Sequence, residues 1–150
     1  MLRRLHLGLR GQILLLGVAG VLIVAVIYLV GLQIQALGEA LVLAQKAGLN
    51  LETVVQLLGV TDFRSPLFTA MGPEILKRRF DPVFSLEHLY KDARQILSFA
   101  TQLEVPVPGA ALVHEMIKSG IAHGWAHENC SALVKTLELQ ANVTAGSPRP

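Results

Sequence analysis

The feature that most constrains this chain is an unbroken apolar stretch near its N-terminus, from Ile13 to Leu32. A helix of about twenty apolar residues is long enough to cross the hydrocarbon core of a bilayer, and it satisfies its own backbone hydrogen bonds there. The same pattern is expected of a helix that is buried on all sides in a bundle or a dimer. The sequence therefore predicts a long helix and leaves a membrane span and a protein core as alternatives.

The residues on either side of the stretch extend this prediction. Three arginines precede it within residues 1–10, which we expect to be a basic lead-in without a fold of its own, and the first acidic residue after it is Glu39. In a membrane span, these arginines would keep the N-terminus in the cytoplasm. Beyond Leu32 the apolar residues recur at helical spacing, so the helix is expected to continue as an amphipathic segment to a capping glycine, Gly48.

Start and stop signals divide the rest of the chain into further helices. Ser, Asn and Pro residues at helix starts and Gly residues at helix ends predict helices at Leu51–Leu58, Pro66–Met71, Glu74–Arg79, Leu86–Leu103, Gly109–Ala122 and Ser131–Ala141. No segment alternates as a strand does. The expected fold is all-α, with one helical domain over residues 11–142 and a disordered Gly, Ser and Pro rich tail at 143–150.

Composition excludes several classes of function. The net charge of +2 is too small to indicate a nucleic-acid-binding protein. Hydrophobic residues make up 52% of the chain and charged residues 16%, an excess to which the first thirty residues contribute most. The single cysteine, Cys130, excludes an intrachain disulfide and a thiolate metal cluster, and we expect it to be a buried or half-buried side chain.

Two other groups of residues suggest chemistry, and in both the structural interpretation is preferred. His114, His123, His127 and Glu128 have types that bind metal, but a glycine and a predicted loop separate the last two histidines, so no metal site is expected. The basic triplet at residues 77–79 could hold a phosphate. Positive charge at a helix C-terminus is more often a favourable interaction with the helix end itself.

Several segments give the chain a resemblance to a known family. They are Gly31–Asn50, Phe80–Ala100 with its Phe84 and Lys91-Asp92 motif, Val105–Gly109 and Cys130–Lys135. In order and content they resemble the C-terminal helical domain of the β-hydroxyacid dehydrogenases. This family includes 3-hydroxyisobutyrate dehydrogenase, tartronate semialdehyde reductase and relatives of 6-phosphogluconate dehydrogenase. The resemblance falls off before Val30, so a further hypothesis is that the first thirty residues are foreign to the domain.

The resemblance implies a cofactor and partners. It implies NAD or NADP, a homodimer packed through the long first helix, and an N-terminal Rossmann domain to which that helix links. It also implies that Lys91 lies at the cofactor and substrate cleft and that Asp92 helps to hold the local helix. Lys91 and Asp92 are therefore the candidate cofactor-binding residues, although a solvent-facing lysine beside an acid would look the same in sequence.

The resemblance also implies that catalysis is lost. In the family, a lysine acts as general acid/base and an asparagine one helical turn away orients the substrate. Alignment on Gly31 places these positions at Ile23 and Ile27, with Val26 at a neighbouring asparagine position. None of these side chains can transfer a proton or donate a hydrogen bond, so no catalytic residue is assigned.

Three hypotheses about function follow. Gly17, Gly20 and Gly31 lack the Gly-x-Gly-x-x-Gly spacing and follow no predicted strand, so we expect no complete NAD site from this chain alone. The first hypothesis is an incomplete, non-catalytic dehydrogenase domain in the cytoplasm. The second is a membrane-anchored helical interaction domain with its N-terminus inside. The third is half of an oxidoreductase that assembles with a separate nucleotide-binding chain.

Overall fold

The computed structural model describes residues 9–62 and 64–146, with side chains described for Gly20 and from Leu22 onward within those ranges. Over these ranges the regular structure consists of helices, and one isolated antiparallel bridge joins Ser85 to Asn129. The helices are α1 (Leu9–Lys46), α2 (Leu51–Val60), α3 (Pro66–Leu76), α4 (Leu86–Gln102), α5 (Pro108–Ala122), a 3₁₀ helix (Cys130–Leu133) and α6 (Val134–Ala141). The all-α prediction, with one very long first helix, is confirmed.

Local sequence signals set several helix ends. Asn50, Ser65 and Ser85 have extended backbones, and each side chain accepts a hydrogen bond from a backbone N–H in the first turn of the helix that follows. Gly48 has a φ of 74°, a left-handed conformation that costs glycine little, and it closes α1. These four predicted caps are confirmed.

Two predicted helix breaks were wrong. Gly59 was expected to end the second helix, but α2 continues to Val60, because a glycine lowers helix stability by only about 1 kcal/mol. Gly72 and Pro73 were expected to interrupt the third helix, yet α3 runs through both. Gly72 carries no Cβ to clash with the ring of Pro73, and a Cβ built on it would lie 3.0 Å from Val55, so the close contact with α2 supports the backbone there.

The second half of α1 is the axis of the core. It contributes to two clusters of buried side chains, the first with α4 and α5 and the second with α2, α3 and α6. The first cluster consists of Ile34, Leu86, Leu89, Ala93, Val113, Met116, Ile117, Cys130 and Leu133. The second consists of Leu37, Leu41, Val42, Ala44, Leu51, Ile75, Val134 and Ala145. The buried side chains of the second half of α1 are therefore covered by other helices in both clusters.

The first half of α1 extends beyond this core. Leu22, Ile23, Val26 and Leu29 are each at least 55% exposed. A Cβ placed on Gly20 would meet no atom within 4 Å. The segment that the sequence marked as either a membrane span or a protein core is therefore divided. Its described side chains up to Val26 are largely uncovered, whereas Val30, Gly31 and Leu32 pack against the body.

The C-terminal segment corrects the expected disordered tail at 143–150. Ala145 is fully buried, and its N–H donates to Oε1 of Glu138 at 2.8 Å. Glu138 also accepts two hydrogen bonds from the guanidinium of Arg78, at 2.5 and 3.0 Å. Residues 143–146 therefore pack onto the body because one buried carboxylate holds them. Residues 147–150 of the expected tail and 1–8 of the basic lead-in lie outside the described residues.

This arrangement predicts a large effect of Glu138→Ala on stability. The substitution removes the acceptor for both Arg78 and the Ala145 N–H, and we expect the free energy of unfolding to fall by about 2 kcal/mol. Glu74→Ala is the matched control, because Glu74 forms its ion pairs with Lys77 and Arg79 at the exposed surface, and a change within about 0.5 kcal/mol is expected. Chemical denaturation followed by circular dichroism measures both, and equal losses in the two variants would contradict the role given to Glu138.

Candidate functional site

The two residues implied as cofactor-binding lie on α4, with Lys91 on its outer side and Asp92 among its buried residues. This helix is amphipathic, with Leu89, Ala93 and Ile96 buried on its inner side. Side chains two positions from Leu89 and from Ala93 along a helix point roughly the opposite way, which directs Lys91 outward. The amphipathic spacing of α4 thus positions the lysine.

An open depression of about 760 Å³ lies along this outer side. The described side chains that line it belong to α4, and we refer to them as the α4 face: Glu87, His88, Tyr90, Lys91, Arg94, Gln95 and Ser98. The α4 face bounds this depression on one side, and the other side is open.

Lys91 and Asp92 form a loose ion pair within this region. Nζ of Lys91 lies 3.6 Å from Oδ1 of Asp92, with the lysine side chain 63% exposed and the aspartate side chain 11% exposed. The carboxylate is thus set into the helix packing while the ammonium group remains in solvent. The pair that the sequence predicted is in contact, and Lys91 is free to reach a molecule in the depression.

An aromatic stack borders the same depression. The rings of Tyr90 on α4 and His114 on α5 are stacked, with their centroids 5.0 Å apart. Cζ of Arg94 lies 6.0 Å from the centre of the Tyr90 ring, within the range of a cation–π contact. The phenol ring therefore links the cation on the α4 face to the neighbouring helix.

At the N-terminal end of the α4 face, hydrogen bonds fix the start of the helix. Oγ of Ser85 lies 2.6 Å from Nδ1 of His88, and it also accepts a bond from the His88 N–H. The ring of Phe84 lies 5.9 Å from that of His88 in a tilted arrangement. These contacts orient the imidazole at the edge of the depression.

The positions aligned with the family's catalytic residues lie elsewhere. Ile23 is 59% exposed on the projecting part of α1. Ile27 lines a small apolar pocket together with Leu89 and Ala93, on the inner side of α4 and so away from Lys91. Among the described residues that line this pocket, Tyr28 alone has a polar side-chain group. The structure brings Lys91 and Asp92 together and does not place Ile23 or Ile27 beside them.

The histidines considered as metal ligands have separate partners. The ring of His123 stacks on Trp125, with centroids 5.3 Å apart, and Nδ1 of His127 lies 3.5 Å from a carboxylate oxygen of Glu87. Within the described part of the chain, no group of three or more potential ligands is arranged to hold a metal ion. Burial raises the pKa of the Cys130 thiol to about 11, so the thiol stays protonated and unreactive near neutral pH.

Arg94 and Gln95 also line the depression, although neither was predicted as a site residue. The available signal was their spacing, because positions 91, 94, 95 and 98 are adjacent on one helical surface. The stack of Tyr90 on His114 could not be predicted from residue spacing, since the two residues lie on different helices.

Comparison with solved structures defines the class of fold. The chain superposes on the crystal structure of 3-hydroxyisobutyrate dehydrogenase from Salmonella typhimurium with a TM-score of 0.74. The two are 24% identical, and the match covers 77% of this chain and 40% of that one. The fold is thus that of one helical part of such an enzyme.

Comparison with sequences identifies the family. The family described as "NAD-binding of NADP-dependent 3-hydroxyisobutyrate dehydrogenase" matches residues 20–137. The chain belongs to this family. The match includes residues 20–29, so the family likeness reaches further towards the N-terminus than the fall-off before Val30 suggested.

Two curated relatives illustrate how much of such an enzyme the chain represents. It is 32% identical over 111 residues to glyoxylate/succinic semialdehyde reductase 1 of Arabidopsis thaliana, covering 74% of this chain and 38% of that protein. It is 35% identical over 114 residues to 2-hydroxy-3-oxopropionate reductase of Escherichia coli, covering 76% of this chain and 39% of that protein. The chain therefore spans less than half the length of these relatives.

Proposed function

We propose that the chain is the cofactor-binding and dimerisation half of an NAD(P)-dependent β-hydroxyacid dehydrogenase. In this proposal the α4 face forms one wall of the cofactor cleft, and a Rossmann domain supplies the other wall. The observation that supports the proposal is the position of Lys91, which is exposed and lines a one-sided depression inside the segment that matches the family. A lysine buried among other helices could not have served such a cleft.

The proposed domain binds a cofactor without catalysing hydride transfer. Ile23 and Ile27 stand at the positions aligned with the family's lysine and asparagine, and an alkyl side chain can neither move a proton nor hold a substrate hydroxyl. The oxidoreductase activity of the assembled enzyme would therefore require residues that this helix lacks. We place the domain in the cytoplasm, where NAD(P) is available.

The exposed part of α1 supports association with a second copy. Leu22, Ile23, Val26 and Leu29 present apolar surface to solvent, and isolated apolar patches of this kind mark interaction sites. Packing this helix against its counterpart in a homodimer would cover these side chains. The dimer would also leave the α4 face open to the cleft.

Reconstitution with a Rossmann domain tests the cofactor-binding proposal. We expect NADH fluorescence to change when the full chain is mixed with the separately expressed N-terminal Rossmann domain of the Escherichia coli reductase, and we expect no turnover of a hydroxyacid. Lys91→Ala should weaken this binding about tenfold, the loss of one charge-assisted contact of about 1.4 kcal/mol. Lys118→Ala is the control, because Lys118 pairs with Glu115 on the exposed side of α5.

Two outcomes of this experiment would contradict the proposal. One is an NADH signal that is the same with and without the chain. The other is equal binding by the Lys91→Ala and Lys118→Ala variants, which would show that the α4 face does not contact the cofactor. Turnover by the unmodified pair would contradict the part of the proposal that assigns no catalytic residue to α1.

A second candidate function is a membrane-anchored helical domain with its N-terminus inside. The observation that favours it is that one helix is long and apolar enough to cross a bilayer, and that its side chains from Leu22 to Leu29 are largely uncovered. The stretch from Ile13 to Leu32 would be roughly 30 Å long at about 1.5 Å per residue, close to the thickness of a hydrocarbon core, with Ile23 and Val26 near its middle. Lipid would cover such a helix on every side, whereas a dimer contact covers one side.

Carbonate extraction of membranes from expressing cells separates the two candidates. If α1 spans the bilayer, the wild-type chain stays in the pellet at alkaline pH, and Ile23→Glu combined with Val26→Glu moves it to the supernatant, since each buried charge near the bilayer centre costs about 3 kcal/mol. Leu103→Glu combined with Val105→Glu is the control, because these exposed residues lie after α4. Release of the unaltered chain by carbonate would exclude integral insertion.

A further inference from the structure

The α4 face carries two cations, Lys91 and Arg94, that lack the close ion pair with an acid formed by most basic residues of the body. Arg78 pairs with Glu138, Arg79 with Glu74, Lys118 with Glu115 and Lys135 with Glu128. Among the described residues, Arg94 forms no ion pair or hydrogen bond, and the acid on the same face, Glu87, lies seven residues earlier beside His127. Lys91, three residues earlier, has only the loose contact with Asp92.

Two like charges three residues apart on a helix repel each other. Such a pair is tolerated at an exposed surface, but nothing in the packing of α4 requires it, because Lys91 and Arg94 both lie outside the buried side. An anion bound between the two side chains would remove the repulsion. The repulsion between Lys91 and Arg94 is thus smaller with an anion bound between them than in the chain alone.

The side chains around the pair have the chemistry of a phosphate site. Gln95 and Ser98 follow Lys91 and Arg94 by four residues each, so the amide and the hydroxyl lie on the same surface of the helix. Arginine can hold a phosphate with two parallel N–H bonds, lysine adds a point charge, and amide and hydroxyl groups supply further donors. Within the described residues, neither Gln95 nor Ser98 has a hydrogen-bond partner from its side chain.

The stack of Tyr90 on His114 provides a fixed surface for the guanidinium of Arg94. The tyrosine ring is half-buried against the core formed by α1, α4 and α5, and the histidine ring packs on it from the neighbouring helix. A cation held over this ring is restricted in position before any ligand arrives. Less conformational freedom is then lost when a ligand binds.

We propose that Arg94, with Lys91, Gln95 and Ser98, binds a phosphate group of the cofactor, so that the α4 face recognises the pyrophosphate of a dinucleotide. This inference rests on the proposed function and adds a ligand group and a residue to it. Arg94 acts as the principal contact and Tyr90 as the residue that positions it. The arrangement leaves the opposite side of the phosphate open for the backbone of a second domain.

An NMR titration of the full chain, kept in a mild non-ionic detergent, tests the inference with pyrophosphate as the probe. We expect pyrophosphate to shift the amide signals of residues 90–98, and Arg94→Gln to weaken this binding at least fivefold. Arg94→Lys should retain part of the affinity, because it keeps the charge and loses the two-bond geometry. Arg64→Gln is the matched control, since Arg64 is an exposed arginine outside the α4 face, and it should leave the affinity unchanged.

Malonate, a carboxylate dianion, is the second arm of the titration at matched ionic strength. Weaker binding of malonate than of pyrophosphate supports a phosphate site, and equal binding would overturn it. The inference would also be overturned by shifts centred on residues 77–79, or by equal pyrophosphate affinities of the Arg94→Gln and Arg64→Gln variants. If pyrophosphate binds at α4 but NADH does not bind to the reconstituted pair, the proposed function is contradicted and the phosphate site is not. If NADH binds and Arg94→Gln does not weaken that binding, the phosphate site is contradicted and the proposed function is not.

Discussion

Close packing against the second half of α1 is the constraint on which the rest of the structure depends. Two glycines on this segment let other helices approach its backbone. A Cβ on Gly31 would lie 3.4 Å from Val113 of α5, and one on Gly38 would lie 3.0 Å from Leu137 of α6. Because α5 and α6 contact α1 this closely, α4 can pack in turn against α1 and α5 with its polar side outward. The position of the α4 face thus follows from small residues on a different helix.

The helix ends could be predicted from sequence wherever the signal was local. Asn50, Ser65 and Ser85 cap helices with their own side chains, and that chemistry depends on only a few neighbouring residues. The break expected at Pro73 depended on a contact with another helix, and the disordered tail was overturned by the side chain of Glu138. Both errors come from tertiary contacts that override a local preference.

The site likewise has features that follow from the local sequence and features that depend on contacts with another helix. The outward direction of Lys91 follows from the spacing of apolar residues in α4, and its contact with Asp92 follows from adjacency. The position of Arg94 over Tyr90 could not be predicted, because the ring is held by His114 on α5. The sequence also could not show that the described lining residues of the depression come from one helix, so that the depression is open on its other side.

Residues 31–46 form the buried axis of the helical body, and the first part of α1 and the polar side of α4 lie outside its core. Amide hydrogen exchange of the full chain, resolved by residue, measures how well this axis is protected. We expect the amides of residues 31–46 to exchange as slowly as those of the inner side of α4, and those of residues 22–27 to exchange at least tenfold faster in detergent-free buffer. Equal exchange along the whole of α1, or faster exchange in residues 31–46 than in α2, would contradict this expectation.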